Sequence, residues 1–500
     1  MQFNILKKFK NRKVKEAKLY HSLIPIIYLV ASLVYLLFIK RLYPEQTKNL
    51  GPHLALFSAG MVGAFVAIFM LGHKWKFIQE GFLNTIKMSM EACIILLVIG
   101  MLVGTWILSG VVPVMIFYGL KVISPQIFLP TVMLLCTIIS LASGSSWTTA
   151  ATVGIAMMGV GSGLGIPSHI TAGAVISGAY MGDKMSPLSE TTNLAPAMAG
   201  TDLFTHIRHM LYTTVPSYLI AFTLFIFVGM KYTKSGLNTS NIDLIMTNLS
   251  QQFNITPWLL LVPLCVIIIV LFKVPAIPGL AMAAAIGGVA AIFTQGASVL
   301  DVLLAAQTGY NSNTGFEVLD NLLTRGGLES MLSTVCLIIF AVFFGGVMEK
   351  TGMLQAVSNQ ILKLARNRGM LISSTVATSA VTNIISGDQY ISIIMPGRMF
   401  KQVYRKRGFA PENLSRTLED SGTLLSPLIF WNTCGAYMIK TLGISPWVYI
   451  PYCFFNLLNP VIAIIYGFTG FSIKKLKKSE LEEEFDDEDS DNDNDVLAKA

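Results

Sequence analysis

Charge is what this sequence has least of. Of its 500 residues, 13% are Asp, Glu, Lys or Arg and 53% are hydrophobic, where an average soluble domain carries roughly 25% charge. So few charges cannot cover a water-soluble fold, and the mean hydropathy of +0.62 points the same way. Cysteine is also scarce. Cys93, Cys136, Cys265, Cys336, Cys434 and Cys453 all sit in apolar stretches, with no CxxC and no metal-ligand spacing, so they read as small core residues rather than disulfides or a metal centre. There is no phosphate-binding loop and no Ser/His/Asp arrangement in a plausible context. The isolated GSGLG at 161–165 lies between apolar segments and reads as a flexible turn. An enzyme is not expected, nor a cofactor.

What is present is apolar length. Runs such as 24–39, 258–272 and 331–347 approach or reach the roughly 17–25 residues that a membrane helix needs, so a lipid bilayer is the expected surrounding for most of the chain. Seven Lys or Arg in the first eighteen residues precede a long apolar run without an A-x-A-like cleavage site, which reads as a retained first helix behind a cytoplasmic N-terminus. The formal charge of +8 conceals eleven acidic residues between Glu480 and Asp495. Such a tail is expected to be solvated and disordered. The basic excess elsewhere adjoins apolar runs, where it sets orientation, and no nucleic-acid partner is expected.

Three pairs of segments recur about 240 residues apart in the same order. Gly104 and Gly110 correspond to Gly346 and Gly352, SGSSW at 143–147 to SGDQY at 386–390, and GDKMSPL at 182–188 to GTLLSPL at 422–428. The charges around them differ. Lys363, Arg366 and Arg368 precede the second tip and Arg398, Lys401, Arg405, Lys406 and Arg407 follow it, whereas Lys121 is the single base flanking the first up to Gly165. By the positive-inside rule the two halves lie in opposite orientation, and each polar tip belongs to a re-entrant hairpin with both flanks on one side. The expected fold is therefore an all-α polytopic membrane protein, an inverted repeat of five transmembrane helices plus one re-entrant hairpin per half, with discontinuous helices. The expected spans are 22–40, 51–73, 89–110, 168–198 and 211–230, then 257–273, 277–295, 331–349, 415–440 and 447–471. Its parts are a basic segment 1–20, a first repeat 21–230, a linker 231–256, a second repeat 257–472 and a charged cytoplasmic tail 473–500. Loop 296–330 is expected outside. A homodimer is the assembly state considered.

Spans 168–198 and 415–440 contain Gly182, Pro187 and Pro196, and Gly422 and Pro427. Proline frees backbone carbonyls, and paired broken helices across an inverted repeat point to a midplane site. Into that region fall Asp183, Glu190, Asp388, Glu419 and Asp420. With them come oxygens from Ser145, Ser146, Thr148, Thr149, Ser186, Ser189, Thr191, Thr192, Asn193, Asn432 and Thr433. Ionisable groups at membrane depth are costly and read as functional, and an all-oxygen set suits sodium. Proton coupling needs a carboxylate whose proton affinity desolvation raises, so that proton and sodium compete. Asp388 and Asp183 are the sharpest candidates, followed by Asp420 and Glu190. Glu419 and Glu190 are equally readable as residues one turn away that pair with a base. Lys184 has three readings: it snorkels, neutralises a carboxylate or meets an anionic substrate. His169, His206 and His209 read as residues at span ends, and Glu91, Glu349 and Lys350 as boundary residues.

The run GSSWTTAATVGIAMMGVGSGLGIP at 144–167, followed by GAYMGDKMSPLSETTNLAPAMAGTDLFTHIRHM at 178–210 and EDSGTLLSPLIFWNTCGAYM at 419–438, closely resembles the NhaC-type sodium/proton antiporters. The resemblance implies inverted repeats, hairpins and broken helices, with sodium and protons as the transported ions and the plasma membrane as location. Where members of that family often carry Asp in SDTTNLAP, this chain has Glu190. The same family includes exchangers that take up malate with protons and release lactate with sodium, so organic-anion exchange is the alternative. Lys184 or the hydroxyl-rich tip GSSWTT would then hold a carboxylate.

Overall fold

A computed structural model of the chain describes residues 14–43, 45–47, 50–122, 124–233, 239–272, 274–315, 319–320 and 323–476. Residues 1–13, the acidic run 480–495 and Glu317 lie outside these, and with them most of the basic N-terminus and the tail. The described structure is helical, and eight helices are long and apolar enough to cross a membrane, or nine if the pair 446–452 and 454–469, bent by 57°, is counted as one span. Helices satisfy their own backbone groups, which is the condition lipid imposes.

The chain begins with α1 (Leu19–Leu42), α2 (His53–Val66, extended by a wide turn Ala67–Leu71) and the long α3 (Trp75–Leu108). Next come α4 (Val111–Val122), α5 (Pro125–Ser143) and α6, which runs from Ser146–Thr149 through a wide turn Ala150–Gly154 into Ile155–Gly163. The expected span 168–198 is two helices, α7 (Ser168–Met185) and α8 (Glu190–Ala199), and α9 is Leu203–Thr233. Within the expected linker, α10 (Thr239–Gln252) buries Ile245 and Leu249, and Phe253 after it is buried as well. It packs on α4 and α6, so this stretch is part of the packed body.

The second part opens with α11 (Leu261–Leu271), α12 (Ala276–Gln295), α13 (Val299–Thr308) and α14 (Leu332–Lys350). It continues with α15 (Met353–Leu362), α16 (Arg368–Ser386), α17 (Ile391–Lys406) and α18 (Pro411–Leu418). A wide turn Glu419–Thr423 extends α18, and α19 (Thr433–Leu442), α20 (Pro446–Tyr449) and α21 (Phe454–Thr469) follow. Expected span 415–440 is thus broken, with extended backbone at Ile429 and Asn432. The arms α5 and α16, expected as parts of hairpins, are themselves 19 residues long and among the eight long helices. Loop 296–330 does not lie free. It carries the apolar α13, and the Gly327 N–H donates to the Gly100 carbonyl at 2.7 Å, which lays the loop's backbone on α3. Nearby, the half-buried Asp320 accepts bonds from the Thr314 backbone N–H, the Ser312 hydroxyl and the Gly315 N–H, which hold its carboxyl below the usual carboxylate range.

The closest packing is between α5 and α7. The Ser140 hydroxyl donates to the Ala179 carbonyl at 2.6 Å and Thr137 to Gly178 at 3.2 Å. Small residues on α7 permit this approach, since a Cβ at Gly182 would lie 2.3 Å from the Thr137 carbonyl oxygen. Gly182→Ala is therefore expected to lower stability by about 1–3 kcal/mol, the range for overpacking a well-packed contact. Gly279→Ala, where the nearest atom would be 3.5 Å away, is expected to leave it unchanged. Thermal unfolding of the detergent-purified protein, followed by size exclusion, reads both. Equal melting of the two variants would contradict the α5–α7 packing.

Candidate functional site

The two recurring tips have the same local construction. Gly144 ends α5 with φ +68° and Gly387 ends α16 with φ +65°, a left-handed turn that glycine adopts without a Cβ penalty. In each tip the serine before that glycine accepts a bond from the backbone N–H two residues on, Ser145 to Ser143 and Asp388 to Ser386, both at 3.3 Å. The residue after the glycine then caps the next helix. Ser145 Oγ accepts from the Thr148 N–H at 3.1 Å, and Asp388 Oδ1 accepts from Tyr390 N–H at 2.8 Å and Ile391 N–H at 3.1 Å. The same position is thus neutral in one tip and acidic in the other.

Both tips face one cavity of about 580 Å³, bounded also by α3, the break between α7 and α8, and residues 274–276 before α12. Of the candidate residues, Asp183, Glu190, Asp388, Ser145, Ser146, Thr148 and Thr433 line it, as do Ser189 and Thr191. Asp183 Oδ2 accepts from the Ser146 backbone N–H at 3.0 Å and from its hydroxyl at 2.6 Å, binding the first tip to the end of α7. Asp388 Oδ2 accepts from the Ser89 hydroxyl at 2.9 Å. Asp183 and Asp388 are buried, whereas Glu190 is exposed and accepts a bond from the Tyr390 hydroxyl. Trp147 of the first tip, which also lines the cavity, stacks on Tyr437 at 4.1 Å, and the Tyr437 hydroxyl donates to the Trp147 carbonyl at 2.6 Å.

The remaining candidates lie elsewhere. Asp420 is fully buried and paired with Lys184, which also donates to Asn459 Oδ1 at 3.1 Å. Of the three readings of Lys184, neutralising a carboxylate is the one found here. The Thr192 hydroxyl donates to the carbonyls of Lys184 and Asp183, and the Asn193 amide to those of Pro187 and Ser189, so both close the break after α7. Ser186 accepts from the Leu188 N–H. Asn432 caps α19 and bonds Asn383. Thr149 donates to the Ser145 carbonyl. His206 and His209, expected at span ends, are buried among α9's packing partners, with His206 Nδ1 2.8 Å from Ser415 Oγ.

Several lining residues were not singled out in the sequence. Glu91, read as a boundary residue, lines the cavity, as do Gln389 and Tyr390 of the second tip. The SGDQY motif itself carried the signal for the last two. Ser89, which bonds Asp388, lies on α3 outside the recurring motifs, and nothing in its local pattern marks it.

Burying the Lys184–Asp420 pair is tolerable only while both charges are present, because removing one leaves the other uncompensated. Lys184→Met is expected to destabilise the protein by roughly 3–5 kcal/mol. Adding Asp420→Leu in the same chain should recover most of that loss in a thermal unfolding assay. If the single variant melts like wild type, the pair is not formed.

Comparison with known proteins agrees with this architecture. Residues 178–471 match the Na+/H+ antiporter family. The chain is 40% identical over 425 residues to the Na+/H+ antiporter NhaC of Alkalihalophilus pseudofirmus, covering 85% of this chain and 91% of that one. It is 41% identical over 418 residues to the NhaC of Bacillus subtilis, covering 83% and 92%. The malate-2H+/Na+-lactate antiporter of Bacillus subtilis is 36% identical over 431 residues, covering 86% and 92%. Long apolar helices, a polar cavity between two like-built tips and likeness to these antiporters along most of its length agree: the chain belongs to the Na+/H+ antiporter family.

Proposed function

We propose that this protein exchanges sodium for protons across the plasma membrane by alternating access, the two ions competing for the carboxylates of Asp183 and Asp388. The charge of the cavity carries the reading. Among the described residues, Glu91, Asp183, Glu190 and Asp388 line it, and no Lys, Arg or His does. A cleft lined by one sign of charge concentrates ions of the other, and carboxylate and hydroxyl oxygens from Asp183, Asp388, Ser145, Ser146, Thr148 and Thr433 suit a hard cation. Either ion neutralises a carboxylate that is otherwise buried without a base, which makes sodium and proton alternative occupants.

The paired tips support an inverted repeat of five spans and one hairpin per half, and that thread puts both termini in the cytoplasm. It also puts the connection before α12 on the cytoplasmic side. Because the cavity reaches residues 274–276 of that connection, its mouth faces the cytoplasm in this conformation. The relative named for malate and lactate makes organic-acid exchange the competing reading. Of the two groups that would hold that substrate's carboxylate, Lys184 is spent on Asp420 and the hydroxyl tip at 144–149 is bonded to the Asp183 carboxylate.

Proteoliposomes holding a pH dye test the reading: an imposed sodium gradient should move protons with no organic acid present. Proton movement that appears only on adding malate or lactate would transfer the assignment to the competing reading. Asp183→Asn and Asp388→Asn are each expected to lower sodium/proton exchange by roughly 100-fold, as about 3 kcal/mol of a charged contact is lost. Since Asn caps a helix about as well as Asp, wild-type exchange by Asp388→Asn would reduce that residue to a cap.

A further inference from the structure

Glu419 is adjacent to Asp420, yet the two carboxylates have opposite situations. Asp420 has Lys184 as its counter-ion. Glu419 is fully buried in the wide turn Glu419–Thr423 and has no ion-pair partner among the described residues. Its Oε1 accepts from the Thr191 hydroxyl at 3.0 Å and its Oε2 has no partner. Thr191 Oγ1 in turn lies 3.2 Å from Ser189 Oγ, and both hydroxyls line the cavity. With the Thr191 proton committed to Glu419, the Thr191 oxygen accepts the Ser189 proton when the Ser189 hydroxyl turns from the Asp183 carboxylate, which it also bonds. The hydroxyls then form a directed chain from the cavity to the acid.

The neighbouring charges are engaged elsewhere. Lys184 and Asp183 are the charges that act on Glu419 from α7, and they bond Asp420 and Ser146. Arg416, in the same segment, bonds Ser472 through Nη1, while its Nε and Nη2 have no hydrogen-bond partner among the described residues; Glu190 on α8 accepts from Tyr390, and His206 on α9 pairs with Ser415. A lone buried carboxylate without a base is stable only when it holds a proton.

We infer that Glu419 is a second proton-binding site of the transport cycle, separate from the sodium-binding carboxylates and reached from the cavity through Ser189 and Thr191. The inference rests on the sodium/proton reading above and adds to it a proton that does not compete with sodium for the same oxygens. A hydronium ion in the cavity gives its proton to Ser189 Oγ and leaves as water. The Ser189 proton passes to Thr191 Oγ1 and the Thr191 proton to Glu419 Oε1. One O–H bond breaks as the next forms, and Glu419 goes from charge −1 to neutral. Release runs the same steps in reverse and restores the hydroxyl orientations.

The test is thermodynamic, so that the amount of folded protein does not enter. In proteoliposomes clamped electrically with potassium and valinomycin, opposing pH and sodium gradients are varied until net flux vanishes, which gives protons moved per sodium. Glu419→Gln is expected to move fewer protons per sodium than wild type. The same ratio in both would overturn the inference. Should Glu419→Gln not fold, Thr191→Val leaves the acid in place and cuts the chain. It is expected to slow sodium/proton exchange at least about tenfold, with Thr191→Ser restoring it. Wild-type speed in Thr191→Val would overturn the relay. Failure of the underlying reading looks different, since wild-type protein would then show no sodium-driven proton movement at all.

Discussion

The buried ion pair between Lys184 and Asp420 is the contact on which the character of the site depends. Two adjacent pairs of ionisable residues, Asp183 with Lys184 and Glu419 with Asp420, stand at the breaks of two helices 236 residues apart. Successive residues on a helix point about 100° apart, so neighbours in sequence face different surroundings. One member of each pair is used up in the ion pair. Asp183 is left facing the cavity without a base, and Glu419 is left bonded to a hydroxyl chain. A cavity containing Lys184 would set a base among its four acids and weaken its electrostatic preference for cations. With the lysine turned away, the charged residues that line the cavity among those described are all acids.

The broken helices make this arrangement possible. An unbroken helix satisfies its own backbone and presents only side chains to a cavity, whereas a break exposes backbone groups that need other partners. Here those partners are the side chains of Thr192, Asn193, Ser145 and Asn432, so much of the hydroxyl and amide content of the conspicuous motifs repairs backbone. Several residues that look like ion ligands are therefore structural. Asp183 and Asp388 also accept backbone N–H groups, and they are the buried acids at the cavity.

Much of the architecture was legible in residues 14–476. Apolar runs long enough to span, Gly and Pro at equivalent places in 168–198 and 415–440, and two like tips are local properties, and local backbone chemistry turns each into structure. Thus Gly144 and Gly387 both terminate their helices in a left-handed turn. Less legible was the stretch 231–256, because the helix Thr239–Gln252 is weakly apolar and is recognised by where Ile245 and Leu249 are buried. The loop 296–330 likewise reads as acidic and external, yet its backbone lies on Gly100 of α3.

The sequence by itself determined that this chain is helical, lipid-embedded and broken at two equivalent places, because periodicity, hydropathy and Gly/Pro placement act over a few residues. Family membership was likewise legible in the motifs at 144–167, 178–210 and 419–438. Only the tertiary structure decided which carboxylate keeps its charge uncompensated. Whether Lys184 meets Asp183, Glu419 or Asp420 depends on how α7 packs against α18 and α21, and whether Ser89 meets Asp388 depends on where α3 passes the second tip. Coulomb interactions and hydrogen bonds fall off over a few ångströms, so identity alone cannot rank five acids that fall within three short motifs. Position in the packed bundle does.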